Sequence, residues 1–168
     1  MNLREELLSN YSLTQATKIG AWAVESPNNL KSLMDSFLAT EKIIVQRASW
    51  AASKAYDLKP QLFDTYIPQL IGCLDEPIHG SVRRNSLRIL QSMQIPEKHQ
   101  GELIDKLFAM LHDPKEECAV KAFAMTAAFN IVQHFPELGN ELKIIIEDQL
   151  PFATPSFRSR AKRITKKL

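Results

Sequence analysis

The sequence is poor in the residues on which disulfide-bonded, zinc-binding and nucleotide-binding proteins depend. It contains only two cysteines, Cys73 and Cys118, which are not in a paired spacing. They therefore make neither a disulfide framework nor a zinc site. Only five glycines occur, and none belongs to a Gly-x-x-x-x-Gly-Lys loop, a Gly-x-Gly-x-x-Gly fingerprint or a Gly-x-Ser-x-Gly elbow. The sequence thus lacks these motifs of phosphate binding, dinucleotide binding and serine hydrolysis.

The chain also lacks a long uninterrupted apolar segment. Its longest apolar stretch, residues 119–132, is broken by Lys121. The first ten residues include Arg4, Glu5 and Glu6, where an export signal would need an apolar core. We therefore expect no membrane span and no secretory signal. These features favour a cytoplasmic protein in which both cysteines are reduced residues of the core.

What the sequence does contain is an internal repeat. Four similar segments, each read as a helix, begin 37, 38 and 37 residues apart, at Val45, Val82, Val120 and Phe157. The residue four places further on is always small, as Ser49, Ser86, Ala124 and Ala161 show. Apolar residues follow at seven places (Ala52, Ile89, Ala127, Ile164) and at eleven places (Tyr56, Met93, Ile131, Leu168). These offsets fall on one side of an α-helix, and the small residues predict close packing between helices.

Each of these predicted helices follows another helix with apolar residues at spacings of three and four. The four apolar faces are Leu30, Leu33, Met34, Phe37 and Leu38; Ile67, Leu70, Ile71 and Leu74; Ile104, Leu107, Phe108 and Leu111; and Leu142, Ile145, Ile146 and Leu150. A less regular helical pair precedes them, with apolar positions at Leu3, Leu7, Leu8, Ile19, Ala21, Trp22 and Ala23. The sequence therefore predicts helical hairpins throughout.

Prolines mark the ends of the predicted helices. Turns between paired helices contain Pro77, Pro114, Pro151 and Pro155, and the boundaries between hairpins contain Pro27, Pro60, Pro96 and Pro136. Pro68 is different, because it falls in a helical pattern and predicts a kink or a late helix start.

The predicted fold is all-α: a right-handed α-α superhelix of about ten helices in five hairpins, forming a single domain. The predicted units are an atypical N-terminal cap at 1–26, repeats at 27–60, 61–96 and 97–136, and a basic C-terminal repeat or cap at 137–168.

A two-helix unit of this length, with Asp-Pro at the turn and Val followed by Arg or Lys at the start of the second helix, resembles the HEAT repeat. The segments HDPKEECAVKAFA (112–124) and LDEPIHGSVRRNSL (74–87) carry the resemblance. The closing part of the chain is similar to a family of short bacterial HEAT-like proteins of no established activity, some of which carry the name adenylosuccinate lyase. The Ser-Ser-x-Met-Pro-x-Lys-x-Asn loop of true lyases has no counterpart here, so we infer no catalytic residue from the resemblance.

The position that opens each second helix is the first candidate for function. It reads Gln46, Arg83, Lys121 and Arg158. Since second helices line the concave surface of HEAT-like stacks, the resemblance implies that these cations form a ladder facing a polyanion. The alternative is that they hydrogen-bond to Asp75, Asp113 and main-chain carbonyls of the neighbouring turn.

Positive charge is concentrated at the end of the sequence. The net charge is +2, yet the last eleven residues contain six of the 21 basic residues and none of the 19 acidic ones. Such a segment is suited to nucleic acid, an anionic membrane surface or an acidic partner. The alternative is the solvated face of a capping helix, whose dipole favours cations near its C-terminus.

Aromatic residues and histidines give two further hypotheses. Trp22 and Trp50, with Asp57 seven residues after Trp50, resemble the concave aromatics and acid of HEAT-like alkylpurine DNA glycosylases. Packing of tryptophan between helices is the alternative. The four histidines, at positions 79, 99, 112 and 134, form no His-x-x-x-His pair, so we expect no metal ion and no other cofactor.

The sequence thus favours a non-catalytic scaffold or adaptor that binds a macromolecule, preferably a protein, along its second helices. A nucleic-acid-binding protein related to the glycosylases is the second hypothesis, and adenylosuccinate lyase activity is a third that the residues do not support. The candidate partner-binding residues are Arg47, Trp50, Arg83, Arg84, Arg88, Lys121, Arg158, Arg160 and Arg163.

Overall fold

The computed structural model of this chain describes residues 1–75 and 79–168. Within these residues there are ten α-helices and two short 3-10 helices, and no strand. The helices are α1 (Leu3–Ser9), α2 (Leu13–Ala23), α3 (Pro27–Phe37), α4 (Lys42–Leu58), α5 (Ile67–Gly72), α6 (Gly80–Leu90), α7 (Glu97–His112), α8 (Cys118–Val132), α9 (Pro136–Gln149) and α10 (Pro155–Thr165). The all-α fold and the number of helices predicted from the sequence are confirmed.

The chain divides into two compact units, an N-terminal unit of residues Met1–Ile89 and a C-terminal unit of residues Leu90–Leu168. In the N-terminal unit the second helices α2 and α4 pack on each other, and α3 packs on α4. In the C-terminal unit α8 is central, because it contacts α7, α9 and α10. The boundaries of the individual repeats stay a prediction.

Local sequence signals explain where several helices begin. The hydroxyls of Ser12, Ser26 and Thr154 accept hydrogen bonds from main-chain N–H groups of the first turns of α2, α3 and α10, at 3.2, 3.2 and 3.4 Å. These caps satisfy donors that have no partner inside the helix. Proline occupies the first position of α3, α9 and α10, where the missing N–H costs nothing.

Pro68 produces the late helix start that the sequence predicts. A 3-10 helix runs from Pro60 to Tyr66, and α5 begins only at Ile67, so that Pro68 lies in its first turn. Proline fits there because its fixed φ suits a helix start. Pro77, which the sequence places in the next turn, lies outside the described residues.

The repeating columns identified in the sequence form much of the core. The four small residues Ser49, Ser86, Ala124 and Ala161 are fully buried. At the other repeating positions all residues are buried except Leu168, which is 39% exposed at the chain end. Leu38 is also exposed, because α3 ends at Phe37 and Leu38 no longer points into the core.

The predicted burial of four other residues is wrong. Leu8 and Ala21 are exposed, and the buried positions of α2 include Ala16 and Gly20 instead. Cys73 and Cys118 are half-buried free thiols and not residues of the core. Each of these residues lies near the end of an element or beside the buried side of its helix, where a small rotation changes exposure.

Gly20 sets the distance between α2 and α4. A Cβ at this position would lie 2.9 Å from the amide nitrogen of Ala55 and 2.9 Å from the Cβ of Lys54. Both neighbours are fixed to the backbone of α4, so no side-chain movement would relieve the clash. Glycine therefore permits the close packing of these two helices.

Candidate partner-binding surface

Arg47 and Trp50 project from α4 towards α1 and the residues that follow it. The Arg47 guanidinium donates to the carbonyl oxygen of Leu7 at 2.7 Å and lies 5.8 Å from the centroid of the Tyr11 ring. Trp50 packs edge-to-face on the same ring, with 5.1 Å between the centroids. Both candidate residues are half-buried, and these contacts hold the first hairpin on α4.

Arg88 connects α6 to α4 within the N-terminal unit. It donates to the carbonyl oxygen of Ser53 at 3.2 Å and to a carboxylate oxygen of Asp57 at 2.9 Å. Asp57 also accepts from Lys54 at 3.5 Å. Asp57 is therefore engaged by two cations, while Trp50 contacts Tyr11. Arg84, on the same helix as Arg88, is half-buried and also has an interaction within the chain.

Arg83 and Arg158 hold equivalent positions and make equivalent contacts. Arg83 donates to the main-chain carbonyls of Leu74 and Asp75. Arg158 donates to those of Leu150 and Pro151, at 3.1 and 3.2 Å. In both hairpins the arginine thus satisfies carbonyl groups just beyond the end of the first helix. At these two positions the arginines therefore hydrogen-bond to main-chain carbonyls of the neighbouring turn, which is the second of the two interpretations that the sequence allows.

Lys121, at the same position in the intervening hairpin, reaches a carbonyl indirectly. Its ammonium donates to the Gln149 side chain at 2.9 Å, and the amide of Gln149 in turn donates to the carbonyl oxygen of Leu111. Burial lowers the pKa of Lys121, and the carboxylates of Asp113 and Glu116 oppose this effect. Because the lysine side chain is shorter than that of arginine, Gln149 of α9 links Lys121 to the turn carbonyl.

Arg160 makes several contacts within the C-terminal unit. One of its guanidinium nitrogens donates to the carbonyl oxygen of Ala122 at 2.9 Å and to the side-chain oxygens of Thr126 at 3.0 Å and Gln91 at 3.2 Å. The group lies 5.6 Å from the centroid of the Phe123 ring. Burial, and to a lesser extent the charge of Arg163, lowers the pKa of Arg160. These contacts stabilise the packing of α10 on α8.

The remaining cations of the chain end form a separate surface, which we call the basic face of α10. It consists of Lys162 and Arg163 on the helix and Lys166 and Lys167 directly after it, all exposed. The buried side of α10 is formed by Phe157, Ala161 and Ile164, so at 100° per residue these four cations point away from it. In the part of the chain that the structure describes, no carboxylate pairs with any of them.

Two cavities lie in the C-terminal unit. The first, of about 340 Å³, is lined by His112, Glu116, Cys118, Lys121, Asp148 and Phe152 among others, and its Cys118 thiol lies 2.8 Å from the Thr154 hydroxyl. The second, of about 520 Å³, is lined by Ser92, Gln94, Gln100, Asn130, Gln133 and His134 together with apolar residues. Neither cavity brings together a nucleophile and a general base at hydrogen-bonding distance among these described residues.

The family model described as "HEAT repeat domain" matches residues 3–168, which is nearly the whole chain. The chain belongs to the HEAT repeat family. No curated protein and no solved structure matched it.

HEAT repeats commonly serve as protein-interaction scaffolds, because stacked hairpins offer a broad surface for a partner. Among residues 1–75 and 79–168 of this HEAT repeat protein, no three metal-ligating side chains form a cluster. No helix in the same residues is long and apolar enough to cross a membrane.

The structure therefore separates the sequence-predicted residues into two groups. Arg47, Trp50, Arg83, Arg84, Arg88, Lys121, Arg158 and Arg160 all have contacts within the chain. Arg163 belongs to the basic face, together with Lys162, Lys166 and Lys167, which the sequence-based selection of partner-binding residues left out. The sequence contains a signal that could have identified these three lysines. A helical wheel with the apolar positions Phe157, Ala161 and Ile164 on the inner side places the lysines on the outer side.

Proposed function

We propose that this HEAT repeat protein is a non-catalytic scaffold that binds an acidic segment of a protein partner through the basic face of α10. The observation that carries the proposal is the set of four adjacent exposed cations without a carboxylate partner in the described residues. A charged surface of one sign attracts a partner of the opposite sign and speeds its association.

The neighbouring arginines make the basic face a stable platform. Arg158 and Arg160 are fixed by hydrogen bonds to main-chain carbonyls. Phe157, Ala161 and Ile164 are buried in the C-terminal unit. The four cations of the face are thus presented by a helix whose position is set by other residues, so binding a partner does not require the fold to give up internal contacts.

The small size of the face favours a protein partner over a nucleic acid. Four phosphate contacts would give a salt slope of about −4, whereas a dedicated repressor reaches a slope of about −10. An acidic helix needs only one or two turns to meet all four cations, because residues four apart on a helix lie about 6 Å apart along the axis.

A direct test is the binding of a fluorescently labelled, glutamate-rich peptide, followed by anisotropy at low salt. The variant Lys162→Glu/Lys166→Glu should bind at least about tenfold more weakly, because two attractive pairs become repulsive. The matched control Lys42→Glu/Lys98→Glu changes the net charge equally at exposed lysines outside α10 and should bind like the wild type.

Two results would contradict the proposal. One is unchanged peptide binding by the Lys162→Glu/Lys166→Glu variant. The other is clearly tighter binding of an oligonucleotide than of the peptide at equal salt, which would identify a nucleic acid as the partner of the basic face.

A further inference from the structure

We propose that the basic face of α10 docks onto α9 of a second copy of this chain, so that the protein pairs with itself. The inference rests on the proposed function only in using the same basic face. It is supported by a second charged surface of opposite sign in the same unit, by a pair of carboxylates on it with the spacing of the cation pairs, and by the lack of pairing between the two surfaces within one chain.

The second surface is an acidic stripe on α9, made of Glu137, Glu141, Glu147 and Asp148. All four carboxylates are exposed, and Lys143 is the one basic residue among the fourteen residues of the helix. Glu137, Glu141 and Asp148 share one side of α9 with Ile144, whose side chain is 60% exposed. The opposite side of the helix is buried through Gly139, Leu142, Ile145 and Ile146.

One pair of carboxylates in the acidic stripe has the same spacing as the cation pairs of the basic face. On α9, Glu137 and Glu141 are four residues apart; on and after α10, Lys162 and Lys166 are four apart, as are Arg163 and Lys167. Four residues correspond to about 6 Å along a helix, so two helices laid side by side can bring Glu137 and Glu141 opposite one of these cation pairs. Ile144 would supply an apolar contact near the middle of the stripe.

These two surfaces do not neutralise each other within one chain. In the described residues no carboxylate of the acidic stripe forms an ion pair with a cation of the basic face. Both surfaces are therefore available to a partner, and a second copy carries both complementary surfaces at once. A two-fold axis can then use each surface twice, which closes a dimer and leaves neither charge pattern unmatched.

Self-pairing of this kind should be weak and sensitive to salt, because exposed ion pairs contribute little individually and are screened by ions. It would also compete with the acidic partner, since both occupy the basic face. Sedimentation velocity of the full chain over a range of protein concentrations should therefore show a monomer–dimer equilibrium at low salt whose dissociation constant rises at least about tenfold at high salt.

Complementary charge reversal tests the contact itself. Glu141→Lys/Asp148→Lys and Lys162→Glu/Lys166→Glu should each be monomeric, because two of the four charges on one surface are reversed, which makes their pairs repulsive and leaves that surface without a net charge. An equimolar mixture of the two variants should form a mixed dimer, since each surface again meets its opposite. The Lys42→Glu/Lys98→Glu variant is the control and should dimerise like the wild type. Circular dichroism of every variant checks that it is folded.

A wild-type protein that is monomeric at every concentration overturns the inference, as does a dimer that survives both reversals or a mixture that fails to associate. Binding of the acidic peptide distinguishes failure of self-pairing from failure of the proposed function. Glu141→Lys/Asp148→Lys retains the basic face and should still bind the peptide, so loss of self-pairing with retained peptide binding leaves the proposed function intact.

Discussion

Arg160 and Arg163 lie one helical turn apart on α10 and have opposite surroundings. Arg160 is half-buried and donates to three oxygen atoms of its own chain, whereas Arg163 is exposed on the basic face. Hydrogen bonds to a charged donor are stronger than neutral ones, so their loss destabilises the fold even where an acceptor, such as the Ala122 carbonyl, keeps the Thr126 hydroxyl as a donor. The same type of residue thus stabilises the fold at one position and is available to a partner at the other.

This contrast predicts different effects of one substitution at the two positions. Arg160→Met should lower the free energy of unfolding by about 1–3 kcal/mol, because the carbonyl of Ala122 and the hydroxyl of Thr126 lose a charged donor. Arg163→Met should change it by about 0.5 kcal/mol or less, as is usual for an exposed residue. Urea unfolding followed by circular dichroism measures both. Equal losses would show that Arg160 has no special structural role.

At the scale of helices, close approach is achieved by small residues at fixed positions. The repeating column of Ser49, Ser86, Ala124 and Ala161 is fully buried. Gly20 has the same effect on α2, where even a single methyl group would lie 2.9 Å from the backbone nitrogen of Ala55. Larger side chains at these points would force the helix axes apart.

We therefore expect Gly20→Ala to destabilise the protein, although alanine is the better helix former. Overpacking costs about 1–3 kcal/mol, and the gain in helix propensity of about 1 kcal/mol does not offset it fully. Gly101→Ala is the matched control, because a Cβ on this exposed glycine of α7 meets nothing within 4 Å. It should stabilise the protein by up to about 1 kcal/mol. Thermal and urea midpoints that shift in the same direction for both variants would contradict this account.

At the scale of the whole molecule, the chain consists of two compact units with separate sets of internal contacts. Regions with their own contacts can open separately from the rest of a protein. Gly20 belongs to the N-terminal unit, and Arg160 makes its hydrogen bonds within the C-terminal unit.

Hydrogen exchange should reveal this division. Gly20→Ala should accelerate amide exchange mainly within residues 1–75 and 79–89, and Arg160→Met mainly within residues 90–168, because each change weakens contacts internal to one unit. Mass spectrometry of peptic fragments measures both patterns. An increase spread evenly over the chain for either variant would show that the two units open as one.

The sequence by itself determined the all-α fold, the number of helices, the buried columns and the late start at Pro68. These features depend on the spacing of apolar, small and proline residues along the chain, and the repetition of one pattern made the spacing visible. The exposed positions of Leu8, Leu38 and Leu168 were missed because burial near element ends depends on what lies opposite.

Only the tertiary structure decided what each cation does. Arg83 on α6 and Arg158 on α10 donate to turn carbonyls. On the same helix as Arg158, Arg160 donates to α8, whereas Arg163 is exposed on the basic face. A side chain with several donors takes whichever acceptor the neighbouring element presents, and that neighbour comes from a distant part of the chain. The sequence specified the charge, and the packing of the hairpins decided which charges remained on the surface.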